Sequence, residues 1–148
     1  MKSTDTTATI HFAENDFFVG VTPSGHAQAI ETNAERASAA TPMELLLLAL
    51  GSCTAVDVIS ILKKKRQTVT DYRVEVRGQR REEHPHAYTR LEVKHIVRGR
   101  AVSAQAVERA IELSDTKYCS VAATLRGGAA ELSTSYEIIE EDSASASA

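Results

Sequence analysis

The chain has 148 residues, 43% of them hydrophobic, and its 17 lysines and arginines against 20 aspartates and glutamates leave a net charge of −3. That is enough apolar material for the core of one domain without disulfides or a structural metal, and the slight negative charge argues against nucleic acid or an anionic membrane as partner. The N-terminus, MKSTDTTATIHF, has no basic flank before an apolar signal core, and the longest apolar stretch is broken by Asp57 and ends early in basic residues, so the expectation is a soluble cytoplasmic protein without a membrane span.

Short extended runs alternate with turn residues at 7–12 (TATIHF), 16–21 (DFFVGV) and 27–30 (AQAI), which predicts a three-stranded meander. Residues 31–40 have no period and read as a connecting loop. Thr41, Pro42 and Glu44 then spell a helix start: Thr41 as N-cap, Pro42 in the first helical position and Glu44 closing a capping box. Lys63, Lys64, Lys65 and Arg66 mark its end, where cations meet the negative pole of the helix dipole. Between these ends the leucines, valines and isoleucines of residues 45–62 occupy nearly every side, a pattern that requires burial all round.

Residues 71–78 (DYRVEVRG) and 88–97 (YTRLEVKHIV) alternate apolar and polar, predicting two strands with one solvated face each, joined by a charged loop. An amphipathic helix over 103–116, a short helix over 117–125 and a closing strand over 130–139 follow. The tail, 140–148, is low-complexity and expected to be disordered, leaving a single domain over 1–139. Strands, a long helix, two strands, two helices and a strand make an α+β class. Six short strands cover only one side of the long helix, so a second subunit is expected on the other, in an obligate homodimer.

The chain has two cysteines, Cys53 in the long helix and Cys119 in the short one. In a reducing compartment they are free thiols or a transient redox pair rather than a permanent structural disulfide. Either could be a small core hydrophobe. Against that, Cys53 sits in ALGSCTA, a run of small residues inside a bulky helix that leaves room for a substrate or a neighbouring helix. Cys119 opens an apolar turn, where helix N-terminal N–H groups stabilise a thiolate. The five histidines lack ligand spacing and Gly127 and Gly128 read as a turn, so neither a metal nor a cofactor is expected.

With PMELLLLALGSC placing Pro42 eleven residues before Cys53, CSVAATL opening a helix at Cys119, and the element order from the first strand to Ile139, the sequence resembles the OsmC/Ohr family of osmotically inducible and organic hydroperoxide resistance proteins, most closely its YhfA-like branch. The resemblance implies antiparallel sheets packed around a long buried central helix, in an intertwined homodimer with active sites at the subunit interface. It implies a peroxidase in which the Cys53 thiolate attacks an organic hydroperoxide, Cys119 condenses with the resulting sulfenic acid, and an external dithiol resets the bridge. Phe17, Phe18 and Tyr118 are candidate walls of the substrate site, and a stress-response, antioxidant role comes with the resemblance.

The match departs from the family at one position. The glutamate that follows the proline in the well-studied peroxidases, and pairs there with a thiolate-supporting arginine, is Met43 here. Glu44 falls on the helix face opposite Cys53 and is already accounted for by the capping box. Arg36 is the candidate supporting cation, and an exposed loop arginine is the equal alternative. Asp57, one turn after Cys53, would oppose thiolate formation unless a cation neutralises it. An OsmC-fold dimer that binds a small molecule, with weak or no peroxidase activity, is the alternative these departures leave open.

Overall fold

A computed structural model describes residues 4–128 and 131–142. The chain divides into two compact units, Met1–Leu46 and Leu47–Ala148, with the boundary inside the long helix.

In the first unit β1 (Thr9–Glu14), β2 (Phe17–Val21) and β3 (Ala27–Glu31) form the predicted meander, antiparallel in the order β1-β2-β3. Asn15 and Asp16, at φ 41° and 64°, make the first turn, in the left-handed region that these two residue types tolerate. The loop after β3 is organised by Glu31, which is buried. Its carboxylate accepts hydrogen bonds from the Ser38 hydroxyl and the Ser38 N–H (2.6 Å) and forms an ion pair with Arg36. Thr41 and Glu44 form the predicted capping box: the Glu44 N–H donates to Thr41 Oγ1 at 3.3 Å, and the Thr41 N–H donates to Glu44 Oε2 at 2.7 Å. Helix α1 (Pro42–Lys64) begins there.

The second unit continues α1 and adds β4 (Thr68–Arg80), β5 (Tyr88–Arg100), α2 (Ala104–Leu113), α3 (Ser120–Arg126) and β6 (Glu131–Glu140). Strands β4 and β5 pair antiparallel, as their alternation predicts. Strand β6 runs parallel to β5, which corrects the expectation of antiparallel sheets. The physical reason is the connection: α2 and α3 lie between β5 and β6, and a helical crossover returns the chain to the same end of the sheet. Glu140 belongs to this strand rather than to the tail; the rest of the predicted tail, from residue 143, lies outside the described residues.

One side of α1 is buried, through Leu50, Gly51, Thr54, Val58 and Leu62. Val58 and Leu62 pack with Val97 and with Ala106, Val107, Ala110 and Ile111 of α2; Leu50 packs with Leu91, Val93, Cys119 and Ala122. On the other side Leu48 is 64% and Val56 67% exposed. The all-round burial expected from the sequence is thus one-sided in a single chain. The expectation that this stretch is too short to span a bilayer also fails: its 23 residues are long and apolar enough by length and composition alone, although buried core helices meet the same criterion.

Candidate functional site

Of the small residues around Cys53, Gly51 serves the sheet. A Cβ on Gly51 would lie 2.9 Å from a methyl of Val76, so glycine lets α1 press directly onto β4. Two residues on, Cys53 is half-buried and packs against the cluster that contains Leu50, Leu91, Val93 and Cys119.

Cys119 reaches the same cluster through an irregular segment. After α2 the chain makes a single wide π turn, Ser114–Tyr118, where the sequence reading had a continuous helix to 116. The turn closes with the Cys119 N–H donating to the Ser114 carbonyl at 2.8 Å. Cys119 then caps α3, its sulfur accepting from the Ala122 N–H at 3.4 Å. That contact favours a thiolate, as the helix-start argument anticipates, but Cys119 is 3% exposed and burial outweighs it. Burial, with contributions from the Cys53 thiol and the Asp57 charge, pushes the Cys119 thiol up to about 11. The two cysteines, 66 positions apart, thus belong to one apolar cluster, with Cys119 protonated at neutral pH.

Asp57 has a hydroxyl as its partner: Ser114 Oγ donates to Asp57 Oδ2 at 2.9 Å. Thr54, 2% exposed, shares a 2.9 Å hydrogen bond with the same Ser114 oxygen. Beyond this cluster Tyr72 and His95 share a 2.7 Å hydrogen bond through the tyrosine hydroxyl and Nδ1. Burial first, and then the Asp57 charge, raises the Tyr72 hydroxyl above its ordinary range. Burial lowers His95 to about 4, so the ring is neutral at physiological pH, and its buried Nε2 has no partner among the described residues. Ser114, Tyr72 and His95 were not singled out from the sequence. His95 alternates with Val93 and Val97 on an apolar strand face, and that is the one signal that could have marked it.

Helix α1 also lines an open groove of about 430 Å³, in which Val56, Ile61, Leu113 and Tyr118 are apolar and Asp57, Lys64 and Lys65 are charged. Neither cysteine is among its lining residues, so Tyr118 lines this groove rather than a pocket that includes Cys53. The other candidates belong to the first unit and have partners there. Arg36 pairs with Glu31, donates to the Asn15 carbonyl at 3.0 Å and sits 5.7 Å from the Phe17 ring; Phe18 packs edge-on against Phe12; Glu44 closes the helix cap. Among the described residues no three histidines, cysteines or carboxylates gather as a metal site, and the closest approach of histidines is His84 Nε2 to His86 Nε2, 3.1 Å, in the β4–β5 loop.

A family model described as OsmC-like protein matches residues 34–134, a span that contains both cysteines and Ser114. Protein YhfA of Escherichia coli K12 is 42% identical over 132 residues, covering 89% of this chain and 97% of that protein. A hypothetical protein from Aquifex aeolicus VF5 of known structure is 35% identical with a TM-score of 0.82, over 95% of this chain and all of the other. The crystal structure of an organic hydroperoxide resistance protein from Elizabethkingia anophelis shares the fold, at 14% identity and a TM-score of 0.67 over 94% of this chain. With the family model spanning both cysteine motifs and relatives of this identity covering nearly the whole sequence, the chain belongs to the OsmC family, on the branch of YhfA.

Proposed function

We propose that the protein is a thiol-dependent peroxidase that reduces organic hydroperoxides. The observation that carries this reading is that Cys53 and Cys119 are brought into one apolar cluster from distant parts of the chain. Their unequal environments assign the roles. Cys53 is the more accessible and takes the hydroperoxide; Cys119, buried and protonated at rest, resolves. The Cys53 thiolate attacks an oxygen of ROOH, the O–O bond breaks, ROH leaves with a proton, and Cys53 becomes a sulfenic acid. The Cys119 sulfur then attacks the Cys53 sulfur, an S–S bond forms and water carries away the hydroxyl and the Cys119 proton. An external dithiol returns two electrons. The apolar surroundings of Cys53, in the cluster with Leu50, Leu91 and Val93, favour an organic hydroperoxide over hydrogen peroxide.

In this reading the protein is cytoplasmic and homodimeric, and the exposed side of α1 is the surface its partner copy covers. Only 28% of the apolar window of that helix is buried within one chain, and a long apolar face in water has a large incentive to be covered. The second reading, an OsmC-fold dimer that binds a small molecule with weak or no peroxidase activity, draws on Asp57, a negative charge beside the pair with a hydroxyl as its partner, and on Met43 in place of the family glutamate.

Intact mass and free-thiol count of the reduced protein, before and after one equivalent of cumene hydroperoxide, decide between them. The peroxidase loses both thiols into a Cys53–Cys119 bridge; Cys53→Ser abolishes turnover and Cys119→Ser stops after one oxidation. Persistence of both thiols under excess hydroperoxide refutes the peroxidase.

A further inference from the structure

Two thiols form a bridge only when their backbones are held within a narrow range of separation, and the elements bearing Cys53 and Cys119 are joined by few polar contacts. One residue makes most of them. Ser114, the first residue of the π turn, is fully buried, with hydrogen bonds to Thr54 and Asp57 of α1. Its hydroxyl has a single proton, which goes to Asp57, so the Thr54 hydroxyl must donate to the Ser114 oxygen. Thr54 is the neighbour of Cys53 in α1 and Asp57 lies one turn beyond. Through its carbonyl, the same serine receives the Cys119 N–H. An α-helical turn would pair that N–H with Asp115; the wider turn hands it to Ser114 instead. A continuous set of bonds thus runs from the residue beside Cys53 to the backbone of Cys119, and all of it passes through Ser114.

We propose that Ser114 is a positioning residue which, with Thr54 and Asp57, forms a clamp that holds Cys53 and Cys119 at bridging distance. The proposal deepens the thiol-pair reading and rests on it. The hydroxyl touches neither sulfur; it acts by fixing the register between α1 and the π turn. The acceptor function of residue 57, rather than its charge, is what the clamp uses, so an amide oxygen serves there as well.

The test equilibrates the full-length protein with mixtures of reduced and oxidised glutathione and reads the Cys53–Cys119 bridge by alkylation and mass. The effective concentration of the thiol pair falls about tenfold or more in Ser114→Ala, because a loosely held pair loses its proximity advantage. It falls less in Thr54→Val, which removes one of the two hydroxyl bonds, and stays within about twofold of wild type in Asp57→Asn. Val107→Ala, a core truncation in α2 outside the cluster of the pair, lowers the melting temperature and leaves the effective concentration unchanged. A wild-type value in Ser114→Ala, an equal loss in Asp57→Asn, or no bridge in the wild type with oxidised glutathione overturns the clamp. If Ser114→Ala does not fold, Thr54→Val carries the decision, and a wild-type value there overturns the clamp. A bridge that forms with glutathione but not with hydroperoxide refutes the peroxidase and leaves this measurement standing.

Discussion

The two sides of α1 are made of the same residue types and have opposite surroundings. Leu50 is 1% exposed and locked between β5 and α3, whereas Leu48, two positions earlier, is 64% exposed. Val58 is fully buried against α2, and Val56 is 67% exposed. A helix of uniform hydrophobicity thus has two different sides: one builds the core of the second unit, with Cys53 packed against it, and the other is exposed. Composition is blind to this division, because it depends on which side the sheet reaches first.

The largest effect that tests the comparison is Leu50→Ala, expected to destabilise the protein by about 2–5 kcal/mol through lost burial and the cavity left behind, measured by denaturant unfolding. The same truncation at Leu48 stays within about 0.5 kcal/mol in the dissociated chain. Equal losses at the two positions would mean that the division between the sides is wrong.

His95 follows, on the sheet face beneath the buried side, between Val93 and Val97 of the core. Its folded value, about 4, lies below the ordinary 6.5, so the unfolded chain binds the extra proton first. Its neutral burial is fully compatible with folding above 6.5, and stability is lost as pH falls from there toward 4, by as much as about 1.4 kcal/mol per pH unit. Urea midpoints across that window measure it, and His95→Leu should remove the slope attributable to this residue.

Gly51→Ala comes next. The added methyl meets Val76 at 2.9 Å, an overpacking cost that exceeds the gain in helix propensity by about 1 kcal/mol. No loss in its melting temperature would show that α1 does not press on β4. Val56→Asp has the smallest effect on the single chain, near zero, and weakens self-association instead; sedimentation over a range of concentrations separates the two, and an unchanged oligomeric state would place the dimer contact elsewhere.

Much of this was legible in the residues themselves. The capping box of Thr41 and Glu44, the meander and the alternation of β4 and β5 are written in local chemistry over a few positions. Glu31 was missed because nothing nearby in the sequence signals that a glutamate at a strand end will be buried under Ser38 and Arg36. Ser114 was missed for a similar reason: a serine at a helix end looks like any solvated cap, and its role depends on a partner 57 positions away. The direction of β6 escaped because strand propensity carries no information about orientation.

What the sequence by itself determined is the order of the elements, the start of α1 and the presence of two sulfurs, since periodicity, caps and turn residues act between near neighbours. What only the tertiary structure decided is that the two cysteines join one apolar cluster, that a Ser114 hydroxyl donates to Asp57, and that β6 returns parallel. Each of these is a contact between segments tens of residues apart, selected by how a helix and a sheet bury their apolar faces together, and no local pattern encodes that choice.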